Sequence, residues 1–372
     1  MNRTRITLLS LLCLSLLSAC TGAPIATTHE HAANLDSQPL NHVQFIGSHN
    51  SYKRAPQPEL RELMRPFYGS VDDINYNHLS LTDQLNLGLR NLELDIYNDP
   101  VGGTYADPMG NRMLVQSHVT PWPRPDADQL KTPGFKVLHD VDFDFRTCHI
   151  AFEDCLAELD AWSSSHPRHT PIVITMNTKQ GERALPGAIK PAEFDSASLT
   201  RLDETVRSNI GDKRLITPDD IRGDHATLRE AITTRGWPSL DELRGRFLFV
   251  LDEGDPVRER YLYAFPGLRR AAYFVDVPPD SPQAGVMVIN DPVKDEAKIR
   301  DLVTRGFLVR TRADADTREA RANDRSRFDA AMRSGAQIIT TDYYIPDRSI
   351  DDRYMVRFED GGFLRLNPVT SR

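Results

Sequence analysis

From His42 onward, short apolar runs alternate with longer stretches whose apolar residues recur at helical spacing. The runs predict eight strands: Val43–Ser48, Arg90–Tyr97, Phe135–His139, Pro171–Asn177, Arg246–Asp252, Ala271–Val277, Phe307–Arg312 and Gln337–Asp342. Between them, helices are predicted over Ser80–Leu87, His149–Ser164, Ala192–Ile210, Asp224–Thr234, Ser239–Leu243, Pro256–Ala264, Pro292–Arg305 and Arg325–Ser334. Glycines close several of these: Gly88, Gly306 and Gly335. Residues Asn98–Pro133 form a long insertion rich in Pro, Gly and Asp, read as a site-shaping loop without regular structure. Strands that alternate with helices predict an α/β protein, a (β/α)8 TIM-type barrel in a single domain over residues 40–348. Residues 349–372 are expected to pack on the barrel as an extension. A doubly wound sheet is disfavoured by the strand count and by the lack of a Gly-rich phosphate turn after the first strand.

Polar residues interrupt the apolar runs at one end. His49 and Asn50 follow the first strand, and His139 ends the third. Glu93 and Asp95 lie late in the second, Asn177 ends the fourth, and Asp252, Glu253 and Asp276 follow on the fifth and sixth. Arg310, Arg312 and Asp342 close the series. In a barrel those strand ends form the functional mouth. Glu93 and Asp95 share one face of their strand, and two acids there are costly to bury without a cation. Two histidines suit paired acid and base work near neutral pH. Carboxylates and amides offer the hard oxygens that Ca2+ or Mg2+ prefers. Lys179, Arg310 and Arg312 can offset phosphate charge. Tyr343 and Tyr344 either stack on a ring substrate or cap the core. Together these residues suit phosphoryl transfer or phosphodiester cleavage. His49 as a structural histidine and Glu93 as half of a buried ion pair are the alternatives.

Composition changes this picture little. The chain has 372 residues, 40% of them hydrophobic, and a net charge of -8, so no basic footprint for nucleic acid. The N-terminus adds an address. Arg3 and Arg5 precede an apolar stretch, Leu8–Leu17, too short to span a bilayer, and Leu17-Ser18-Ala19-Cys20 resembles a bacterial lipobox. Residues 1–20 are therefore expected to be a signal peptide, with Cys20 lipidated, and residues 21–39 a flexible tether. The expected location is the cell envelope, lipid-anchored, or outside the cell. In such an oxidising compartment Cys148 and Cys155 can pair as a disulfide, provided Cys148 precedes the helix that carries Cys155. Two free buried thiols are the alternative.

The segments Ile46-Gly47-Ser48-His49-Asn50-Ser51-Tyr52, Leu92-Glu93-Leu94-Asp95, Val137-Leu138-His139, Phe307–Asp314 and Gly335–Tyr344 together resemble the phosphoinositide-specific phospholipase C family, its bacterial calcium-dependent branch above all. The resemblance runs from about His42 to the last predicted strand. It implies a distorted TIM barrel that cleaves phosphatidylinositol to diacylglycerol and a cyclic inositol phosphate, through attack by the inositol 2-hydroxyl. It further implies His49 and His139 as catalytic groups acting at the phosphate. Asn50, Glu93 and Asp95 become calcium ligands, with Glu93 also a candidate base. Two departures stand out. Asn177 occupies a position where the family carries a glutamate ligand, which implies weaker calcium affinity or another cation. Val250 and Asp252 stand where relatives that bind phosphorylated rings carry lysines. Two other readings are kept open: a glycerophosphodiester phosphodiesterase, disfavoured by Asn50-Ser51 after the first histidine, and an inactive headgroup-binding lipoprotein.

Overall fold

The computed structural model describes residues 35–124, 127–181 and 183–370. The expected signal peptide, Cys20 and most of the tether lie outside them. Ten strands form two five-stranded sheets, ordered β10-β1-β9-β8-β7 and β3-β2-β4-β5-β6. The first sheet comprises β1 (Val43–Ser48), β7 (Val286–Val288), β8 (Leu308–Arg312), β9 (Ile338–Thr341) and β10 (Leu364–Leu366). The second comprises β2 (Asn91–Asp99), β3 (Gly134–Val137), β4 (Ile172–Thr178), β5 (Phe247–Leu251) and β6 (Tyr273–Val275). Every ladder is parallel except β2–β3 and β1–β10. The eight remaining strands are thus two parallel four-stranded halves, each buried on both faces, as the near-continuous apolar runs require.

One predicted strand has a different place. The run Phe135–His139 yields β3, which pairs antiparallel with the end of β2 and stands outside the parallel set. The missing parallel strand is β7, only three residues long and too short to register as a run. The insertion after β2 is also more regular than expected, with a helix at Met109–Gln116. Ser239–Leu243 forms turns rather than a helix.

The two halves meet at β1 and β2. At the N-terminal end β10 pairs with Val43–Phe45 and occupies the edge of β1 that would otherwise face β2. Farther along, the strands close up. Arg90 N donates to Ile46 O at 3.2 Å, and Ser51 N donates to Glu93 O at 2.9 Å. Gly47 permits this approach: a Cβ there would lie 2.5 Å from the Asn91 Cβ and carbonyl oxygen. The seam therefore holds His49 and Asn50 beside Glu93. At the other junction the Asp276 carboxylate accepts from the Val288 backbone and links β6 to β7.

Candidate active site

The C-terminal ends of the parallel strands carry a connected set of charges. His49 leaves β1 with its Nδ1 2.9 Å from Asp342 Oδ1, just beyond β9. Its Nε2 lies 3.6 Å from Glu93 Oε1 on β2. Burial, followed by Arg312, holds the His49 imidazole well below its usual value, and the Glu93 carboxylate opposes this only in part. His49 is therefore neutral at pH 7. Its Nδ1–H donates to Asp342, and Nε2 keeps a lone pair. Arg312 Nη2 lies 3.4 Å from the other Asp342 oxygen.

A second pair has the same form. His139 follows β3 and donates through Nδ1 to Asp144 Oδ2 at 2.7 Å. The side chains of His49 and His139 are 16% and 23% exposed, so both open toward solvent while their carboxylates are covered. The two rings lie near enough for His139 to depress the protonation of His49. His118, in the long insertion, is exposed and has a left-handed backbone.

The acidic pair on β2 is balanced by cations. Arg310 from β8 donates to Glu93 Oε2 and to Asn290. Lys179 Nζ, just past β4, lies 3.1 Å from Asp95 Oδ2. Asp95 is fully buried, yet neither of its oxygens accepts a well-formed hydrogen bond. The β2–β4 register sets Asp95 directly beside Asn177, whose Nδ2 donates to Asp252 O at 2.6 Å. That bond turns the amide oxygen away from Asp252. Asn50, also buried, donates through Nδ2 to Tyr76 at 2.9 Å and has a left-handed backbone, φ 48°. Asn50, Glu93, Asp95 and Asn177 thus bring hard oxygens to the ends of three adjacent strands. Asp95 Oδ2 has the Lys179 ammonium beside it, and an added cation would share that carboxylate with it. The oxygen chemistry of these four residues is of the kind calcium takes, with Arg310 and Lys179 at the two carboxylates and, among the described residues, no cluster of three or more His, Cys, Asp or Glu placed to hold a metal.

Beyond this set, burial pushes Asp252 up to about 6, against Arg310, and Glu253 and Asp276 each up to about 7. Four further members of the site lie outside the residues that the sequence pattern singles out. Tyr76 bonds Asn50, and His78 lies 3.8 Å from Asp342. Asp144 orients His139, and Lys53 is fully buried 3.1 Å from Asp144. Asp144 alone had an available cue, its five-residue distance from His139 in one loop.

Two expectations are corrected. Tyr343 does not offer its ring to a substrate: it is 2% exposed, set edge-on against Tyr354, and so takes the core-capping role. Cys148 and Cys155 are free thiols, the first half-buried ahead of the helix Phe152–Ser165 and the second buried in its first turn. Burial pushes the Cys148 thiol up to about 12, so neither is a reactive thiolate.

The family profile described as Phosphoinositide phospholipase C, Ca2+-dependent, matches residues 38–368. The chain belongs to this family. It is therefore a phospholipase C with calcium as its cofactor and a phospholipid as its substrate class. Among solved structures, the calcium-dependent phosphoinositol-specific phospholipase C of a Pseudomonas species is 16% identical with a TM-score of 0.55. That match covers 90% of this chain and 97% of the other. A Ca2+-dependent phosphatidylinositol-specific phospholipase C from Streptomyces antibioticus is 21% identical with a TM-score of 0.51, covering 85% and 98%. At such identities these two likenesses concern the fold, and they agree with the barrel. No curated protein matches the chain. Among the described residues no helix is long and apolar enough to cross a membrane.

Proposed function

We propose that this phospholipase C cleaves phosphatidylinositol-type phosphodiesters by acid–base chemistry shared between His49 and His139. The observation that carries this reading is the pair of half-open imidazoles, each backed by a buried carboxylate at one barrel mouth. A carboxylate on Nδ1 fixes the tautomer and leaves Nε2 to take or give a proton at the substrate. Arg312 and Lys179 offset phosphate charge, and Glu93 is the candidate base for the attacking hydroxyl. Calcium held by Asn50, Glu93, Asp95 and Asn177 would polarise the phosphoryl group and lower the pKa of that hydroxyl. Asp252 and the absence of lysines on β5 argue for an inositol ring without further phosphates. Export and a lipid anchor on Cys20 rest on the charged N-terminus, the apolar stretch and the lipobox-like tetrapeptide.

The test is product analysis with the chain from residue 21 onward. Phosphatidylinositol should give diacylglycerol and a cyclic inositol phosphate, and His49→Ala and His139→Ala should each abolish this without unfolding. Turnover of glycerophosphodiesters in preference to phosphatidylinositol would replace the substrate assignment. Binding without turnover of either would replace the enzymatic one. An active His139→Ala alongside a dead His118→Ala would move the second histidine. Mass spectrometry of the native N-terminus decides lipidation.

A further inference from the structure

Lys53 has no part in the chemistry described so far, yet its ammonium is fully buried. Burying a lone ammonium costs several kcal/mol unless partners replace water. Its partners come from three segments that frame the mouth. Nζ donates to Ile74 O at 2.5 Å and sits 4.3 Å from the centre of the Tyr76 ring. It lies 3.1 Å from Asp144 Oδ2, the oxygen that also accepts from His139 Nδ1 at 2.7 Å. The charge of Asp342, the partner of His49, also favours the ammonium, after Asp144. The Lys53 backbone closes the ring of contacts: its N–H donates to Asn50 O and its carbonyl accepts from His78 N.

We propose that Lys53 is a positioning residue of the His139–Asp144 pair, its buried ammonium holding Asp144 in the orientation that fixes the His139 ring. This rests on His139 acting at the phosphate. A carboxylate oxygen held by two donors is restricted in rotation. With Lys53 gone, Asp144 Oδ2 keeps only the histidine, and its other oxygen already lacks a partner. The carboxylate is then free to turn, and the imidazole with it. The charged and titratable groups that face Lys53 are Asp144, Asp342, Arg61, His78 and Tyr76. The first-named carboxylate is its largest favourable partner, against a burial that lowers the ammonium's pKa.

A purely structural staple would behave differently, and a double-mutant cycle separates the two. Lys53→Met, Asp144→Asn and the double variant are compared by kcat and KM on phosphatidylinositol with calcium present, by melting temperature, and by the NMR signal of the His139 Nδ1 proton. The double variant removes both buried charges and guards against loss of folding. Lys53→Met should lower kcat by about ten- to a hundredfold with KM little changed. In the Asp144→Asn background the same substitution should change kcat by less than about threefold. The Nδ1 proton signal should shift or broaden in both single variants. An unchanged Nδ1 signal in folded Lys53→Met, or fully additive effects on kcat, overturns the proposal. If His139→Ala is as active as the unaltered enzyme, the acid–base reading fails instead, and the Nδ1 signal still decides whether Lys53 orders the ring.

Discussion

Asp342→Asn isolates the charge that backs His49 and leaves the shape in place. The carboxylate lies 2.9 Å from His49 Nδ1 and 3.4 Å from Arg312 Nη2. If His49 takes a proton during the reaction, the resulting imidazolium is stabilised by Asp342. A unit pair at about 4 Å is worth about 4 kcal/mol at the effective dielectric of such a site. Losing that in the transition state corresponds to about a thousandfold in kcat. Stability should change little, because two effects oppose each other. Burial raises the Asp342 carboxyl, and its charge helps push neighbouring Asp314 up to about 7. Neutralising one of two like charges relieves that repulsion, while Arg312 keeps its bond to the Asp314 carbonyl at 3.0 Å. Against this, Arg312, His78 and Lys53 lose an opposite charge, so the two effects offset and the melting temperature should stay within about 3 °C of the unaltered protein. Steady-state turnover on phosphatidylinositol and thermal denaturation are the two assays. A kcat within tenfold of normal, or a loss of activity matched by a large drop in melting temperature, would refute the assignment of Asp342 as an electrostatic partner of a catalytic imidazole.

Other expectations follow from the same contacts. His78 is buried with its pKa lowered to about 4, whereas the unfolded chain binds that proton near 6.5. Acid therefore favours unfolding, and stability falls as the pH drops from 6.5 toward 4, by roughly 3 kcal/mol from this residue. Urea unfolding at pH 7 and 4.5 should show a weaker pH effect in His78→Gln, and parallel curves would show that His78 is charged or exposed. Gly47→Ala places a methyl 2.5 Å from the backbone of Asn91, so a loss of about 1–3 kcal/mol in denaturant is expected. An unchanged midpoint would mean that the seam between β1 and β2 gives way easily. Lys179→Met removes a cation 3.1 Å from Asp95 that must yield to calcium. Its side chain is 35% exposed, so after screening about 1 kcal/mol, or about fivefold tighter calcium binding by calorimetry, is expected. Weaker binding would instead make Lys179 a support of the site.

Much of this was legible in the residues because both the barrel and its mouth are written in local patterns. Parallel strands covered on both faces need unbroken apolar runs, and polar residues at their ends have few reasons to be there except chemistry. Glu93, Asp95 and His49 were found in that way. Direction and neighbours are not local. The run Phe135–His139 has the polarity of a core strand, yet it pairs antiparallel, and β7 is too short to be seen. The charge partners were hidden for the same reason. Arg310 and Glu93 are 217 positions apart, and His49 and Asp342 are 293 apart. Lys53 has no local signature, because its partners Ile74 and Asp144 come from other segments. Asn177 is expected to be a weakened ligand, and its partner Asp252 O, 75 positions away, is likewise invisible in the sequence.

The calcium dependence of phosphatidylinositol cleavage is the most direct test of a catalytic mouth built from these groups. Initial rates would be followed on vesicles, first with calcium, then with excess chelator, then with calcium restored. The account predicts turnover, its loss and its recovery, with none of the three in His49→Ala. Full turnover in chelator would contradict it, and so would an active His49→Ala.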